Sequence, residues 1–340
     1  MTKGNMNRRT MLRGAALGAL ATPALVGKGI AQGKVNWRVQ AHWPKASSSF
    51  TDSLGKLAEV LETRTEGAFK MDLLGAGEFA KGPDIYNIVR KGVVPMGTVS
   101  PSYVQDQAQA ASFLFGIPGT FRQAWEMEHA VKNLGLEALV NEDLNADGVM
   151  MKTEKVLPVE IVVSKKIESA EDFKGLKLRS SGTMLDYLQS AGAAPQYIPG
   201  SELYQSLSSG VVDGAHWGAA VSLWEVCKYH YKPALGQTTD AFILNMEAVD
   251  GLEDDLRTAL LDTMETRFFQ RSAEYQHAEA IAISSGIAEN DIEVSELPDD
   301  VLAILADASA KILDTEAQKG ERAAKAADIY KTLMTDLGYL

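Results

Sequence analysis

Two segments of the chain each end in a side chain that could bind the same small ligand. Residues 172–179 form a strand-like run that ends in Arg179, and residues 210–217 form a second run that ends in Trp217. In an open α/β sheet, ligands bind outside the carboxyl ends of the strands. A guanidinium is always charged and matches a carboxylate with two parallel hydrogen bonds, while an indole offers a flat apolar face. The pattern therefore predicts a site for a small molecule that carries a carboxylate.

Each of these residues also has a plainer interpretation. Arg179 could form a surface salt bridge with Asp172 or Asp186. Trp217 could fill the core, as tryptophan often does. His216 precedes Trp217, and adjacent strand residues face opposite ways. If Trp217 faces the ligand, we therefore expect His216 to face away from it, unless the strand has already ended.

Composition limits the classes of function. The 340 residues are 46% apolar and carry a formal net charge of −12. Without residues 1–31 the balance is 28 basic against 45 acidic residues, or −17. Such an acidic surface disfavours nucleic acid as a partner. The single cysteine, Cys227, cannot form a disulfide within the chain, and its type predicts a small buried apolar side chain.

The first 31 residues have the pattern of an export signal. Arg8 and Arg9 precede a weakly apolar run, residues 15–26, and small residues at Gly29 and Ala31 suit cleavage after Ala31. Paired arginines before such a run are typical of the twin-arginine route, with an ordinary secretion signal as the alternative. Either signal predicts a periplasmic protein.

The remaining chain alternates strands and helices. Residues 34–99 have the order β-α-β-α-β, which predicts a parallel, doubly wound sheet. Pro95 and Gly97 interrupt the third of these strands. Besides the two segments above, strands are predicted at residues 34–40, 69–74, 93–99, 148–152, 158–164 and 241–245, and helices at residues 50–64, 83–91, 123–140, 184–191, 201–208, 252–282 and 299–337.

Several motifs together resemble one protein family. They are residues 173–179 (FKGLKLR), residues 201–214 (SELYQSLSSGVVDG), residues 229–231 (YHY) and residues 244–248 (LNMEA). With these motifs, residues 34–340 resemble the DctP-type solute-binding proteins of tripartite ATP-independent periplasmic (TRAP) transporters. The loop at residues 42–44 (HWP) is similar to the branch that binds 2-oxo acids and lactate.

The resemblance implies an α/β, two-lobe periplasmic-binding-protein fold, in which each lobe is a sheet flanked by helices and a long helix bridges both. It places lobe I at residues 32–156 with 245–285 and lobe II at residues 157–244 with 286–340. Arg179 would clamp the ligand carboxylate, and Trp217 would lie against the ligand body. Closure of the lobes would signal a sodium-driven membrane permease, which is the expected protein partner.

Further site residues follow from the same resemblance. Tyr103, after the third strand, could donate to the ligand across the cleft or pack at the hinge, and Trp43 has the same two interpretations. Glu78 could line the cleft. Glu160 could accept a hydrogen bond from the ligand, or it could be a carboxylate on a strand that crosses between the lobes.

The resemblance also raises the question of a metal ion. The 2-oxo-acid branch holds a metal beside its ligand with a Gln about twenty residues before the Arg and an acid after the Trp. Here the first position falls near Pro158, and no acid matches the second. We therefore expect no bound metal and no cofactor.

These observations predict a periplasmic binding protein for a small organic carboxylate, either a 2-oxo or 2-hydroxy acid or a small dicarboxylate. An exported enzyme that uses the same cleft is the first alternative, although no Ser-His-Asp set, paired acids or cofactor loop supports it. A ligand-sensing partner of a membrane receptor is the second. The helical C-terminal part suits either a monomer or a homodimer.

Overall fold

The structure is a computed structural model that describes residues 33–218 and 223–340. The predicted signal peptide, residues 1–31, lies outside the described residues. Lys34–Leu340 form one compact unit. The strands within the described ranges are Val35–Gln40 (β1), Phe69–Leu74 (β2), Met96–Val99 (β3), Val149–Val163 (β4), Lys177–Ser180 (β5), Ala194–Tyr197 (β6), Gly214–Trp217 (β7), Tyr229–Asn245 (β8) and Glu293–Glu296 (β9).

These strands form a single sheet. Its order is β2-β1-β3-β8-β4-β7-β5-β6, and β9 pairs with β8. The predicted parallel arrangement of the first three strands is confirmed, because β1 runs parallel to both β2 and β3. At the other end of the sheet, β5 runs parallel to β6 and β7. The parallel pairs bring strand carboxyl ends together, as a ligand site requires.

Two long antiparallel strands, β4 and β8, join the two ends of the sheet. The prediction of separate strands at residues 148–152 and 158–164 was wrong, since β4 is continuous and Pro158 lies within it, opposite Gln237. Register shifts on both sides of Pro158 accommodate a residue that cannot donate to the ladder. The strand predicted at residues 241–245 is only the last third of β8. Both strands are buried almost throughout, so neither shows the alternation that predicts a strand.

Helices cover the sheet. A seven-residue π-helical segment, Ser49–Gly55, leads into the first of them. Within the described residues, no helix is both long and apolar enough to cross a lipid bilayer. The α-helices are Lys56–Arg64 (α1), Ile85–Arg90 (α2), Ala111–Phe115 (α3), Ala124–Lys132 (α4), Leu136–Leu144 (α5), Ala170–Phe173 (α6), Thr183–Ser190 (α7), Leu203–Ser208 (α8), Met246–Asp250 (α9), Asp254–Asn290 (α10), Asp299–Ala317 (α11) and Glu321–Asp336 (α12).

Two glycines break helices that were predicted as continuous. Gly135 (φ 83°) separates α4 from α5, and Gly320 (φ 146°) separates α11 from α12. A side chain rarely adopts such backbone angles, so glycine can end a helix where the hydrophobic pattern continues. The long helix α10 extends beyond its prediction to 37 residues, or about 55 Å.

Separate apolar clusters stabilise the two ends of the sheet. One packs β1, β2 and α1 against the first half of α10. Another packs β7 against α8 and includes Cys227, which is 1% exposed. The prediction that Cys227 is a small buried side chain is confirmed. The division into lobes stays a prediction.

Candidate functional site

Arg179 is the next-to-last residue of β5, where it pairs in register with Ala215 of β7. Its side chain is 3% exposed, and its Nε donates to the Ile198 carbonyl over 2.7 Å. Neither alternative partner holds it, since Asp172 accepts from Ser169 and Asp186 forms no ion pair in the part of the chain described here. The site therefore contains a buried guanidinium whose Nε atom is fixed by a hydrogen bond.

The lack of a carboxylate partner distinguishes Arg179 from the other buried cations. Lys155, Arg267 and Arg271 each have a carboxylate oxygen within 4.0 Å. Of the buried Lys and Arg side chains in the described ranges, Arg179 alone has none. Burial lowers the pKa of Arg179, and the nearby Tyr103 and Tyr197 partly offset this decrease. Burying an uncompensated charge costs several kcal/mol, so an anionic ligand would relieve that cost.

Trp217 ends β7 beside this guanidinium. The Arg179 guanidinium carbon lies 4.7 Å from the centre of the Trp217 ring, within the range of a cation–π contact. The Trp217 indole Nε1 is buried and has no hydrogen-bond partner among the described residues. Buried N–H groups rarely lack an acceptor, so the indole supplies an unused donor next to the cation.

His216 also contacts Arg179, which strand alternation did not predict. Its Nε2 lies 3.3 Å from Nη1 of Arg179, and its Nδ1 lies 2.9 Å from the Ser180 hydroxyl. His216 lies within β7, so the expectation that it faces away from the ligand stays a prediction. Burial, and then Arg179, hold the pKa of His216 well below its usual range. A neutral ring must accept at Nε2 from the guanidinium, so Nδ1 carries the proton and donates to Ser180.

Tyr103 approaches Arg179 from the loop that follows β3. Burial raises the pKa of Tyr103 to about 12, although the Arg179 charge and the Gly200 backbone act to lower this pKa. A Cβ atom at Gly200 would lie 2.8 Å from the Trp217 ring. The loop after β3 and the turn at Gly200 therefore meet beside Arg179, as the interpretation of Tyr103 as a ligand donor requires.

An ionic cluster that the sequence did not reveal lies where β4 and β8 pair. Lys155 Nζ is 2.8 Å from Asp240 Oδ2 and 2.7 Å from Glu154 Oε2, and His42 Nε2 is 3.5 Å from Asp240 Oδ1. Although burial acts to raise it, Lys155 and His42 hold the pKa of Asp240 below its usual value. Asp240 therefore stays ionised.

Trp43 lies beside this ionic cluster. Its ring lies 4.6 Å from Lys155 Nζ, and its side chain is 7% exposed within an apolar core. These contacts favour the packing interpretation, and a ligand-binding role for Trp43 stays a prediction.

Of the two remaining candidate carboxylates, Glu160 pairs in register with Trp217 across β4 and β7, and Glu78 follows β2. One carboxylate oxygen of Glu160 is hydrogen-bonded to His230 and the other accepts a hydrogen bond from Lys232. Glu160 also lines a cavity of about 690 Å³, and neither Arg179 nor Trp217 lines this cavity. Glu78 forms an exposed ion pair with Lys45, with Oε1 and Nζ 2.8 Å apart. The contacts favour the structural interpretation of Glu160 and a solvated position for Glu78. Their roles in ligand binding stay predictions.

Comparison with known proteins identifies the family. Residues 40–319 match the bacterial extracellular solute-binding proteins, family 7, also called DctP. The chain belongs to this family. A monocarboxylate 2-oxoacid-binding periplasmic protein of Nostoc sp. is 27% identical over 297 residues, or 79% of each chain. The C4-dicarboxylate-binding periplasmic protein DctP of Rhodobacter capsulatus is 28% identical over 221 residues, or 62% of this chain and 65% of the relative.

Solved structures establish the fold. A TRAP periplasmic solute-binding protein of Pseudoalteromonas atlantica with bound sodium and pyruvate superposes with a TM-score of 0.82 at 23% identity, covering 90% of this chain and 95% of that one. A Bordetella pertussis extracytoplasmic solute receptor that binds pyroglutamic acid superposes with a TM-score of 0.79 at 21% identity, covering 87% and 99%. The predicted family and the α/β periplasmic-binding-protein fold are confirmed.

The bound sodium of the Pseudoalteromonas protein raises the question whether this family member could hold a metal ion. Within the described residues, no group of three or more His, Cys, Asp or Glu side chains could do so. Glu160, the acid nearest the position that the resemblance indicated, already contacts the Lys232 ammonium and His230. A metal ion on Glu160 would have to displace that ammonium, and the absence of a bound metal stays a prediction.

Proposed function

We propose that this protein is the periplasmic solute-binding component of a TRAP transporter and that it captures a small organic carboxylate on Arg179. One observation carries the proposal: Arg179 is a buried cation without a carboxylate partner in the described residues, beside an indole donor that also lacks a partner. The relatives that bind pyruvate, 2-oxo acids and pyroglutamate support the same ligand class.

The contacts of the guanidinium define how it would bind the carboxylate. Because Nε donates to the Ile198 carbonyl and Nη1 faces His216, Nη2 is the least engaged nitrogen. A carboxylate that approaches Nη1 and Nη2 would form a bidentate pair in a site that excludes water, where such hydrogen bonds are strong. Trp217 Nε1 and the Tyr103 hydroxyl would donate to further oxygens, and the Trp217 ring would cover the ligand body.

Binding is proposed to close two lobes around the ligand. Lobe I would comprise residues 32–156 with 245–285, and lobe II residues 157–244 with 286–340. The strands β4 and β8 would form the hinge, and α10 would brace both lobes. The closed form would then deliver the ligand to the membrane permease. The protein reaches the periplasm, in this proposal by the twin-arginine route, and performs no catalysis itself.

A thermal-shift screen of organic acids tests the proposal. Binding stabilises the folded state by RT ln(1 + [L]/Kd), about 2.7 kcal/mol at a hundredfold excess over Kd. We expect stabilisation by small carboxylates and none by their neutral amides or esters. Stabilisation only by sugars or neutral amides would contradict the proposal. A purified sample with catalytic turnover would favour the enzyme alternative.

A further inference from the structure

A chain of contacts leads from Arg179 to the buried ionic cluster. A Cβ at Gly200 would lie 3.9 Å from Arg179 Nη2, and both Gly200 and the Arg179 charge act on the pKa of Tyr103. The Tyr103 ring packs edge-on against His42, with 5.9 Å between ring centroids. His42 in turn contacts Asp240. These contacts therefore connect the cation with this acid.

A second series of contacts, through α10, connects the same two residues. Gly218 follows Trp217, and a Cβ there would clash with a carboxylate oxygen of Glu279 and lie 3.1 Å from the Tyr275 hydroxyl, both on α10. The Tyr275 ring lies 5.7 Å from Lys155 Nζ, which forms a salt bridge with Asp240. Two series of contacts thus connect Arg179 with Asp240.

The accessible part of this ionic cluster is negatively charged. The Asp240 side chain remains 15% exposed although it lies deep in the protein, whereas Lys155 is 0% exposed. Glu154 is also buried, at 2%. Two carboxylates share one lysine, and the accessible group is the Asp240 carboxylate.

Topology places Asp240 at the entrance to the predicted ligand loop. Val99, the last residue of β3, pairs with Ala241 of β8. Asp240 therefore lies one residue beyond the carboxyl end of β3, where the loop to Tyr103 begins. Carboxyl ends of parallel strands are where ligands bind in such sheets.

We propose that Asp240 selects ligands that carry a single carboxylate, with an uncharged hydrogen-bond-donating group at the far end, and excludes dicarboxylates. The inference depends on the proposed function, because it takes Arg179 as the partner of the first carboxylate. A second carboxylate would meet the ionised Asp240, and like charges brought together in a desolvated site oppose binding. A hydroxyl or N–H could instead donate to an Asp240 oxygen.

Matched ligand pairs test this selection by calorimetry. Malonate and malonamate, and likewise succinate and succinamate, differ only by replacement of one carboxylate with an amide. Pyruvate and lactate report on binding to Arg179 alone. For the wild-type protein we expect the monoamide to bind at least tenfold more tightly than the dicarboxylate. In Asp240→Asn we expect this ratio to fall at least threefold. Asp314→Asn, which alters an exposed acid paired with Lys331, is the control.

The outcomes separate the two proposals. Equal or tighter binding of the dicarboxylates by the wild-type protein would overturn the selection by Asp240 and leave the proposed function intact. Failure of every carboxylate to bind would overturn the proposed function instead. An unchanged ratio in a folded Asp240→Asn variant would assign the selection to another group. If that variant does not fold, the wild-type ratio alone decides.

Discussion

The Arg179 guanidinium carbon lies 4.7 Å from the centre of the Trp217 ring, and both residues occupy the carboxyl ends of neighbouring parallel strands. Each has an unused hydrogen-bonding capacity: the guanidinium has no carboxylate partner in the described residues, and the indole Nε1 has no acceptor there. Their polar groups are buried together without satisfying each other, because both can only donate. An external acceptor is what the pair lacks.

Replacing Arg179 with Met should abolish ligand binding without destabilising the apo protein. Loss of a buried charge-assisted pair costs about 2–5 kcal/mol of binding, or at least thirtyfold in Kd. The free energy of unfolding should change little, because removal of an unpaired buried charge offsets the loss of the hydrogen bonds to Ile198 and His216. Calorimetry and urea unfolding measure the two effects.

Arg267→Met is the matched control for that variant. Arg267 is equally buried but forms a double hydrogen bond with Glu274, at 2.8 and 2.9 Å. The Arg267→Met variant should be less stable than the wild-type protein and should keep its ligand affinity. The reverse pattern, with an unstable Arg179→Met that still binds, would show that Arg179 is structural.

Replacing Trp217 with Phe should weaken binding by about three- to tenfold, because the ring remains and one hydrogen bond to the ligand is lost, worth about 0.5–1.5 kcal/mol. The apo protein should not be destabilised, since Nε1 has no partner to lose among the described residues. Trp125→Phe, at a 52% exposed position, is the control and should change neither quantity. A marked drop in apo stability would mean that Nε1 is bonded within the protein.

His216 should make stability depend on pH in the mildly acidic range. Its pKa is held well below the usual value by burial and by Arg179, so the folded state stays neutral while the unfolded chain takes up a proton below about pH 6.5. Stability should therefore be complete above that pH and fall as the pH drops toward the folded pKa, by up to about 1.4 kcal/mol per pH unit.

Urea unfolding at pH 7.5 and pH 5.5 measures this slope. His216→Gln should reduce the difference between the two values. The same substitution at His277, an exposed histidine on α10, should leave the difference unchanged. A steeper slope in His216→Gln would contradict the expected sign.

Replacing Gly200 with Ala should impair binding more than folding. The new Cβ would lie 2.8 Å from the Trp217 ring, so the ring or the turn must move beside Arg179. We expect Kd to rise at least fivefold and the free energy of unfolding to change by under about 1 kcal/mol. Gly55→Ala, whose Cβ would lie 3.4 Å from its nearest neighbour, provides a comparison. Unchanged affinity would place the Gly200 turn outside the site.

Sequence alone predicted most local structure where hydrophobic periodicity is strong. The parallel strands β1 to β3, the helices α7 and α8, and the long helix α10 all follow from such patterns. The predicted lengths of β4 and β8 were wrong. These strands are buried on both faces in the middle of the sheet, so burial replaces alternation and leaves no period to detect. Short edge strands such as β6 were missed for lack of a pattern.

Sequence also determined which residue types could bind a carboxylate, because the pattern of their segments places Arg179 and Trp217 near the carboxyl ends of their strands. The tertiary structure decided which charges remain unpaired. Lys155 and Asp240 are 85 residues apart, and only the pairing of β4 with β8 cancels the lysine charge and leaves the acid accessible. Electrostatic pairing depends on distance in space, which sequence spacing does not encode for residues on different strands.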